Sequence, residues 1–244
     1  MPKLHTEAQE KFKKDGYFIL NEPIFSEDDF SRIISIFNDL SNKNKQSDID
    51  LMDVPHFRDS TLLDLLFNER ILDLAESFIG PNIGLWSSHF ISKPPLTGKA
   101  TPWHEDSAYW EGRFDRMDGI VTIWLALDRS NKENGCMKVI PGTQQNGFSD
   151  YEDVNQDENI FHNQIKNVDD SKAVYFELNP NECSFHEGRI IHGADANKST
   201  RRRAGFTIRY FSQQMKYIAD NPINITHKIW HCRGKNIHNN IVVN

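Results

Sequence analysis

The chain has 244 residues, 38% of them hydrophobic and 26% charged, with a formal net charge of −7. Its mean hydropathy of −0.62 and short apolar runs, such as Ile120 to Leu127, leave nothing near the roughly 20 apolar residues of a membrane-spanning helix. The acidic balance argues against a general nucleic-acid binder, whose affinity comes mostly from lysines and arginines neutralising phosphates. This length fits one generous domain, expected over residues 1–244. A cytoplasmic location is expected, because Met1-Pro2-Lys3-Leu4-His5 lacks the apolar stretch of a signal peptide. Cys136, Cys183 and Cys232 are too few and scattered for a disulfide framework and read as free buried thiols.

Thr6 to Asp15 carries Ala8 and Phe12 among charges at helical spacing, ends at Gly16, and gives way to a short strand, Tyr17 to Leu20. Ser26, followed by Glu27, Asp28 and Asp29, caps an amphipathic helix with Phe30, Ile33, Ile34 and Phe37 on one face. Asn42 to Asp50 is polar and reads as a loop, and Glu69 to Phe78 as a helix closed by Gly80-Pro81. From about Ile83 the texture turns to short β-rich runs: Leu85 to Ser92, Ile120 to Leu127, Met137 to Ile140, Ala173 to Leu178, Cys183 to His192 and Gly205 to Phe211. Pro94-Pro95-Leu96-Thr97-Gly98, Asn134-Gly135 and Pro141-Gly142 mark turns between them. Helices gathered before strands predict an α+β domain with a two-sheet jelly-roll core. The tail after Pro222 has no clear period and is expected to be loose at its end; the spacing of His227, His231 and His238 matches no zinc pattern.

Within this frame Trp103-His104-Glu105-Asp106 stands out. In extended backbone, side chains two apart share a face, so His104 and Asp106 can converge on one spot while Glu105 turns away. A second histidine from a distant strand, His192 in Ile190-Ile191-His192-Gly193, would complete two imidazoles and a carboxylate on one face of an octahedral ion, with the other face open. A His-x-Asp triplet by itself is more often a solvated turn or an ordinary hydrogen-bonded pair.

Four blocks taken together carry more weight: Trp103 to Trp110; Trp124-Leu125-Ala126-Leu127-Asp128; Glu133-Asn134-Gly135-Cys136-Met137 with Val139-Ile140-Pro141-Gly142; and Ile191-His192-Gly193-Ala194 with Asn197 and Arg203. In order and spacing they closely resemble the phytanoyl-CoA dioxygenase family of Fe(II)/2-oxoglutarate oxygenases, from Asp15-Gly16-Tyr17 through Arg209-Tyr210. The resemblance implies a double-stranded β-helix of cupin-like type flanked by N-terminal helices. It makes His104, Asp106 and His192 the iron ligands and Arg203 the holder of the far carboxylate of 2-oxoglutarate. It also puts Trp124 and His89 where family members contact this cosubstrate. A planar, permanently charged guanidinium suits a carboxylate, and Arg201 and Arg202 are the competing candidates. Two positions depart from the pattern: Ala194 stands where many members have a serine, and Gln144 where a histidine is usual. Asp106 itself is present, whereas family halogenases carry a small residue there. The implied reaction is hydroxylation of a small-molecule substrate by molecular oxygen, coupled to decarboxylation of 2-oxoglutarate to succinate.

Other readings stay open on the residues alone. His186 either faces the site or is a structural histidine, and Tyr109, Trp110 and Trp86 are either pocket walls or plain core. The same triad could hold zinc for hydrolysis if Glu105 turned inward, or the fold could be an inactive binding module. The acidic stretch Phe148 to Asp170 could form a lid, and its charge leans toward a cationic or zwitterionic polar metabolite rather than a CoA ester.

Overall fold

Alternation along two central strands decides the architecture. In the computed structural model, which describes residue 4, residues 6–44 and residues 50–243, helix α1 (Thr6–Asp15) leads into strand β1 (Tyr17–Leu20) and helices α2 (Glu27–Asn44), α3 (Ser60–Leu66) and α4 (Glu69–Ile79). Strands β2 (Ile83–Lys93), β3 (Thr101–His104), β4 (Ile120–Ala126), β5 (Met137–Val139), β6 (Tyr151–Asp153) and β7 (Asn163–Ile165) follow. The chain continues with β8 (Val174–Tyr175), β9 (Cys183–Glu187), β10 (His192–Ala194), β11 (Arg203–Ser212) and β12 (Trp230–Arg233).

A six-stranded sheet in the order β1-β9-β4-β11-β2-β12 and a four-stranded sheet in the order β3-β10-β5-β8 form the jelly roll, with β6 and β7 as a separate hairpin. All the strand pairings are antiparallel. On the larger sheet, one face presents Val121, Ile123 and Leu125 from β4 and Ala204, Phe206, Ile208 and Tyr210 from β11, packed against the helices. The opposite face carries Thr122, Trp124, Arg203, Gly205, Thr207 and Arg209, and it is this polar side that looks into the site.

The helices form where the patterns predict them. Ser26 Oγ accepts from the Asp29 amide at 3.1 Å, and the three acids of the first turn complement the positive end of the helix. Ile33 and Phe37 are fully buried, and Phe37 meets the Phe90 ring at 5.4 Å between centroids. Tyr210 is buried beneath α3 and donates its hydroxyl to the Leu66 carbonyl at 2.7 Å.

Several expectations need correction. Helix α3, capped by Asp59 on the Leu62 amide, is an addition to the elements expected, since its seven residues are too few to show a period. Helix α2 covers the start of the polar stretch Asn42 to Asp50, and residues 45–49 of that stretch lie outside the described residues. Cys183 to His192 is two strands, not one: a turn at Gly188 separates β9 from β10, and the two belong to different sheets. The tail is anchored rather than loose, since β12 pairs with β2, Trp230 is buried, and Val243 bridges back to Trp230. No helix among the described residues is long and apolar enough to cross a membrane.

Phe37→Ala should remove about 3–5 kcal/mol of folding stability, as large-to-small changes at fully buried aromatic positions do. A shift of the urea midpoint at unchanged slope is the expected result, and a loss well under 1 kcal/mol would mean that α2 does not pack on the sheet as described.

Candidate metal centre

Strand register creates the centre. His192 of β10 lies directly opposite His104 of β3, and neighbouring antiparallel strands turn such partners to the same face. Their imidazole centroids are 4.0 Å apart. Each ring is held from behind: His104 Nδ1 lies 2.9 Å from the Pro102 carbonyl, and His192 Nδ1 lies 2.9 Å from the Ile190 carbonyl. Since a carbonyl can only accept, both Nδ1 atoms donate, and both Nε2 atoms turn a lone pair inward.

Asp106 arrives by a change of backbone. Strand β3 stops at His104, Glu105 stays extended at φ −119° and ψ 130°, and Asp106 opens a 3-10 turn that runs to Tyr109. Its Oδ1 is 3.7 Å from His104 Nε2 and 3.8 Å from His192 Nε2, within the span of two metal–ligand bonds of about 2.1 Å each. All three residues are buried, with donor atoms within 4.8 Å of one another. The other oxygen, Oδ2, faces Arg209 Nη2 at 3.3 Å and His186 Nε2 at 3.9 Å. The carboxylate therefore has one oxygen for the histidines and one for the protein behind it.

Burial, and then mutual proximity, pulls the His104 imidazole down to about 3, and burial pulls that of His192 to about 4. Burial pushes the Asp106 carboxyl up, but Arg209, His186 and the two facing histidines outweigh it and hold it well below the usual carboxylate range. At neutral pH the triad is two neutral imidazoles and one carboxylate, which is the donor set of an octahedral site with open positions. Glu105 turns the other way. It is buried and accepts from the Ser149 amide at 2.9 Å, so it offers no base for zinc hydrolysis.

The triad opens into a cavity of about 120 Å³. Arg203 lines it, 2% exposed, with Nε and Nη2 both donating to the Gly135 carbonyl at 3.0 and 2.7 Å and the Trp124 ring 5.3 Å from the guanidinium. Asn134-Gly135 is thus a turn with a task, and Gly135 sits at φ 76°, where glycine is favoured. Gly205 has no room for a side chain, because a Cβ there would stand 2.2 Å from the Trp124 indole. Burial lowers the Arg203 guanidinium only to about 10, so it stays charged at neutral pH. Arg201 pairs instead with Glu133 at the surface, and Arg202 with both oxygens of Asp128. Neither lines the cavity, which leaves Arg203 alone of the three.

The remaining candidates divide. His186 lines the cavity, although it lies on β9 rather than on the strand of His192. His89 is on the inward face of β2, opposite Thr207, but its Nδ1 pairs with Asp53 at 3.2 Å and its ring is not among the groups lining the cavity. Tyr109 stands half-exposed at the mouth, its ring centroid 5.5 Å from that of Phe161. Trp86 and Trp110 are core, packed edge to face at 4.7 Å, and Trp110 also supports the Arg209 guanidinium at 5.1 Å. Ala194 lines the cavity without a hydroxyl, while Gln144 donates to the last carbonyls of α1, at Lys13 and Lys14. From the stretch 148–170, Ile160 and Phe161 reach over the site, with the Phe161 ring 4.9 Å from that of His104. Arg209 and Phe161 are the residues that sequence reasoning misses. For Arg209 the signal exists: it keeps the parity of Arg203 and Thr207 along β11.

Both histidines bind fewer protons folded than unfolded, because their folded values of about 3 and about 4 lie below the ordinary 6.5. Stability contributed by their burial is therefore complete above about 6.5 and is lost as pH falls toward 3–4. The metal-free melting temperature should drop across this window, and His104→Gln should flatten the drop; an equally steep profile in that variant would contradict the assignment.

A family model described as phytanoyl-CoA dioxygenase matches residues 12–205, most of the chain. The peroxisomal phytanoyl-CoA dioxygenase of Rattus norvegicus is 29% identical over 237 residues, covering 86% of this chain and 70% of that protein. A Stutzerimonas stutzeri protein described as a probable alpha-ketoglutarate-dependent hypophosphite dioxygenase is 30% identical over 166 residues, covering 64% of this chain and 54% of its own length. Among solved structures, EctD from S. alaskensis with bound Fe superposes with a TM-score of 0.71 at 19% identity, over 88% of this chain and 79% of EctD. That likeness bears out the cupin-like double-stranded β-helix. The chain belongs to the phytanoyl-CoA dioxygenase family of dioxygenases, whose cofactor is Fe(II) and whose cosubstrates are 2-oxoglutarate and molecular oxygen.

Proposed function

We propose that this chain is a single-domain hydroxylase of a small polar metabolite, with Fe(II) held by His104, Asp106 and His192 and the far carboxylate of 2-oxoglutarate held by Arg203. The observation that carries the reading is the pairing of a buried triad with a buried arginine in one cavity. No carboxylate of the described residues lies within 4.0 Å of Arg203, so its charge is available to a ligand. With iron and 2-oxoglutarate bound, the site would supply oxidative decarboxylation to succinate and carbon dioxide, coupled to insertion of oxygen into a substrate C–H bond.

The protein's own part is to bind, orient and exclude water. The Gly135 carbonyl fixes the plane of the Arg203 guanidinium, and Trp124 supports it from one side. Ile160 and Phe161 cover the histidines with apolar surface. Asp106 occupies the third ligand position, which favours hydroxylation over halogenation. The small cavity suits a compact substrate better than a CoA ester. The acidic residues Asp150, Glu152, Asp153, Asp157 and Glu158 are all exposed, so they describe the outer surface of the hairpin and lend no support to a cationic substrate. An inactive binding module of the same fold is the weaker reading, since all three ligands and the arginine are retained.

Purified protein supplied with Fe(II), ascorbate, oxygen and 2-oxoglutarate, with and without candidate polar metabolites, should form succinate, and His104→Ala should abolish it. Arg203→Ala should raise the 2-oxoglutarate requirement about 10- to 100-fold, the worth of a charge-assisted pair. Wild-type 2-oxoglutarate dependence in Arg203→Ala would mean that another group holds the cosubstrate, and no iron-dependent succinate from the unaltered protein would favour the binding module.

A further inference from the structure

Alternate residues of β11 turn into the cavity, and both ends of that series are arginines. Arg203 has the role proposed above. Arg209 is different. Its Nη2 reaches Asp106 at 3.3 Å, its Nη1 makes only a 3.4 Å contact with Thr207 Oγ1, and its Nε is buried without a partner among the described residues. Directly across the sheet lies Thr122, and beyond Thr122 lies His186. Thr122 Oγ1 and His186 Nδ1 are likewise buried and unpartnered. One transverse row, built from three adjacent strands, therefore ends in three polar groups with unused hydrogen-bonding capacity beside the Asp106 carboxylate. Cores rarely keep such groups, because each one left unmet is costly.

A water could meet the hydrogen bonds of this row, but it could not meet the charge. In the loaded site Asp106 and one carboxylate of the cosubstrate would balance the divalent ion and the other carboxylate would balance Arg203, so that Asp106, 3.3 Å from Arg209, is shared with the metal. The positive charge of Arg209 is left over. No other carboxylate among the described residues makes an ion pair with Arg209: Glu105 faces outward toward the Ser149 amide, and Asp53, hydrogen-bonded to His89 at the rim, interacts with Arg209 only from beyond 4.0 Å. An uncompensated buried charge is costly, and a ligand of opposite sign relieves it.

We infer that Arg209, backed by His186 and Thr122, is the receptor for a negatively charged group, a carboxylate or similar oxyanion, on the primary substrate. This deepens the hydroxylase reading and rests on it, because the charge count includes iron and 2-oxoglutarate. The substrate is then a small organic anion. Arg209 binds it on the far side of the metal carboxylate from the two histidines, which orients the molecule before any C–H bond is attacked.

Calorimetric titration under argon tests this without turnover. The iron-loaded protein is first titrated with 2-oxoglutarate, and the loaded protein then with isobutyrate, isobutyramide and isopropylammonium, three probes of matched shape and different charge. Isobutyrate should bind at least about tenfold more tightly than the amide, and the ammonium more weakly still. Arg209→Gln should erase the preference, and Arg209→Lys should retain it. In 15N-arginine-labelled wild-type protein loaded with Zn(II) and 2-oxoglutarate, isobutyrate but not isobutyramide should shift the Arg209 Nε resonance, a measurement that needs no variant to fold. Equal affinities for the three probes, an unmoved Nε resonance, or a preference that survives in Arg209→Gln would overturn the assignment of Arg209. Absence of 2-oxoglutarate uptake in the first titration would instead overturn the functional reading, and this inference with it.

Discussion

Everything at this centre depends on one cross-strand pairing, His192 against His104. Side chains alternate along a strand, so a slip of one residue would send one imidazole to the opposite face of the four-stranded sheet. The carbonyls of Pro102 and Ile190 reinforce the register, each holding the ring two residues further along the chain. The same geometry thus chooses the face, the ring orientation and the tautomer. A metal arriving here meets lone pairs already aimed.

The second constraint is electrostatic. Asp106 is buried, yet remains ionised because cationic and polar groups surround its two oxygens from different directions. Oδ1 serves the histidines, while Oδ2 is shared by Arg209 and His186. This division places a carboxylate in the interior without leaving half of it unsatisfied. Arg203 shows the converse arrangement, a charge kept in the interior by a backbone carbonyl and an aromatic face while its counter-ion is left to come from outside.

The helices α1, α2 and α4 are legible in the sequence because each buries one face, and a one-sided stripe writes its period into the chain. The main strands are legible for the same reason. What escapes are contacts between distant segments. Cys183 to His192 reads as one run because only the Gly188-Arg189 step interrupts it, and that step alone does not say that the two halves belong to different sheets. The His-Asp-His triad and Arg203 are visible through motif and spacing, yet the choice among three consecutive arginines is made by partners, Glu133 and Asp128, that lie far away in sequence. His89 illustrates the limit: parity puts it on the inward face, but Asp53, brought alongside β2 by pairing of the preceding segment, takes its imidazole. Arg209 is the reverse, an arginine that parity along β11 already turns inward but whose partner, Asp106, lies 103 residues earlier in the chain.

Gly205 and Trp124 form an interlock with a bearing on how this pocket can diversify. The indole occupies the volume that any side chain at position 205 would need. Substitution at 205 is therefore blocked until Trp124 has shrunk, whereas Trp124 can change first and leave only a void. The order of mutational steps is set by sterics, and a library that varies position 205 alone would return glycine.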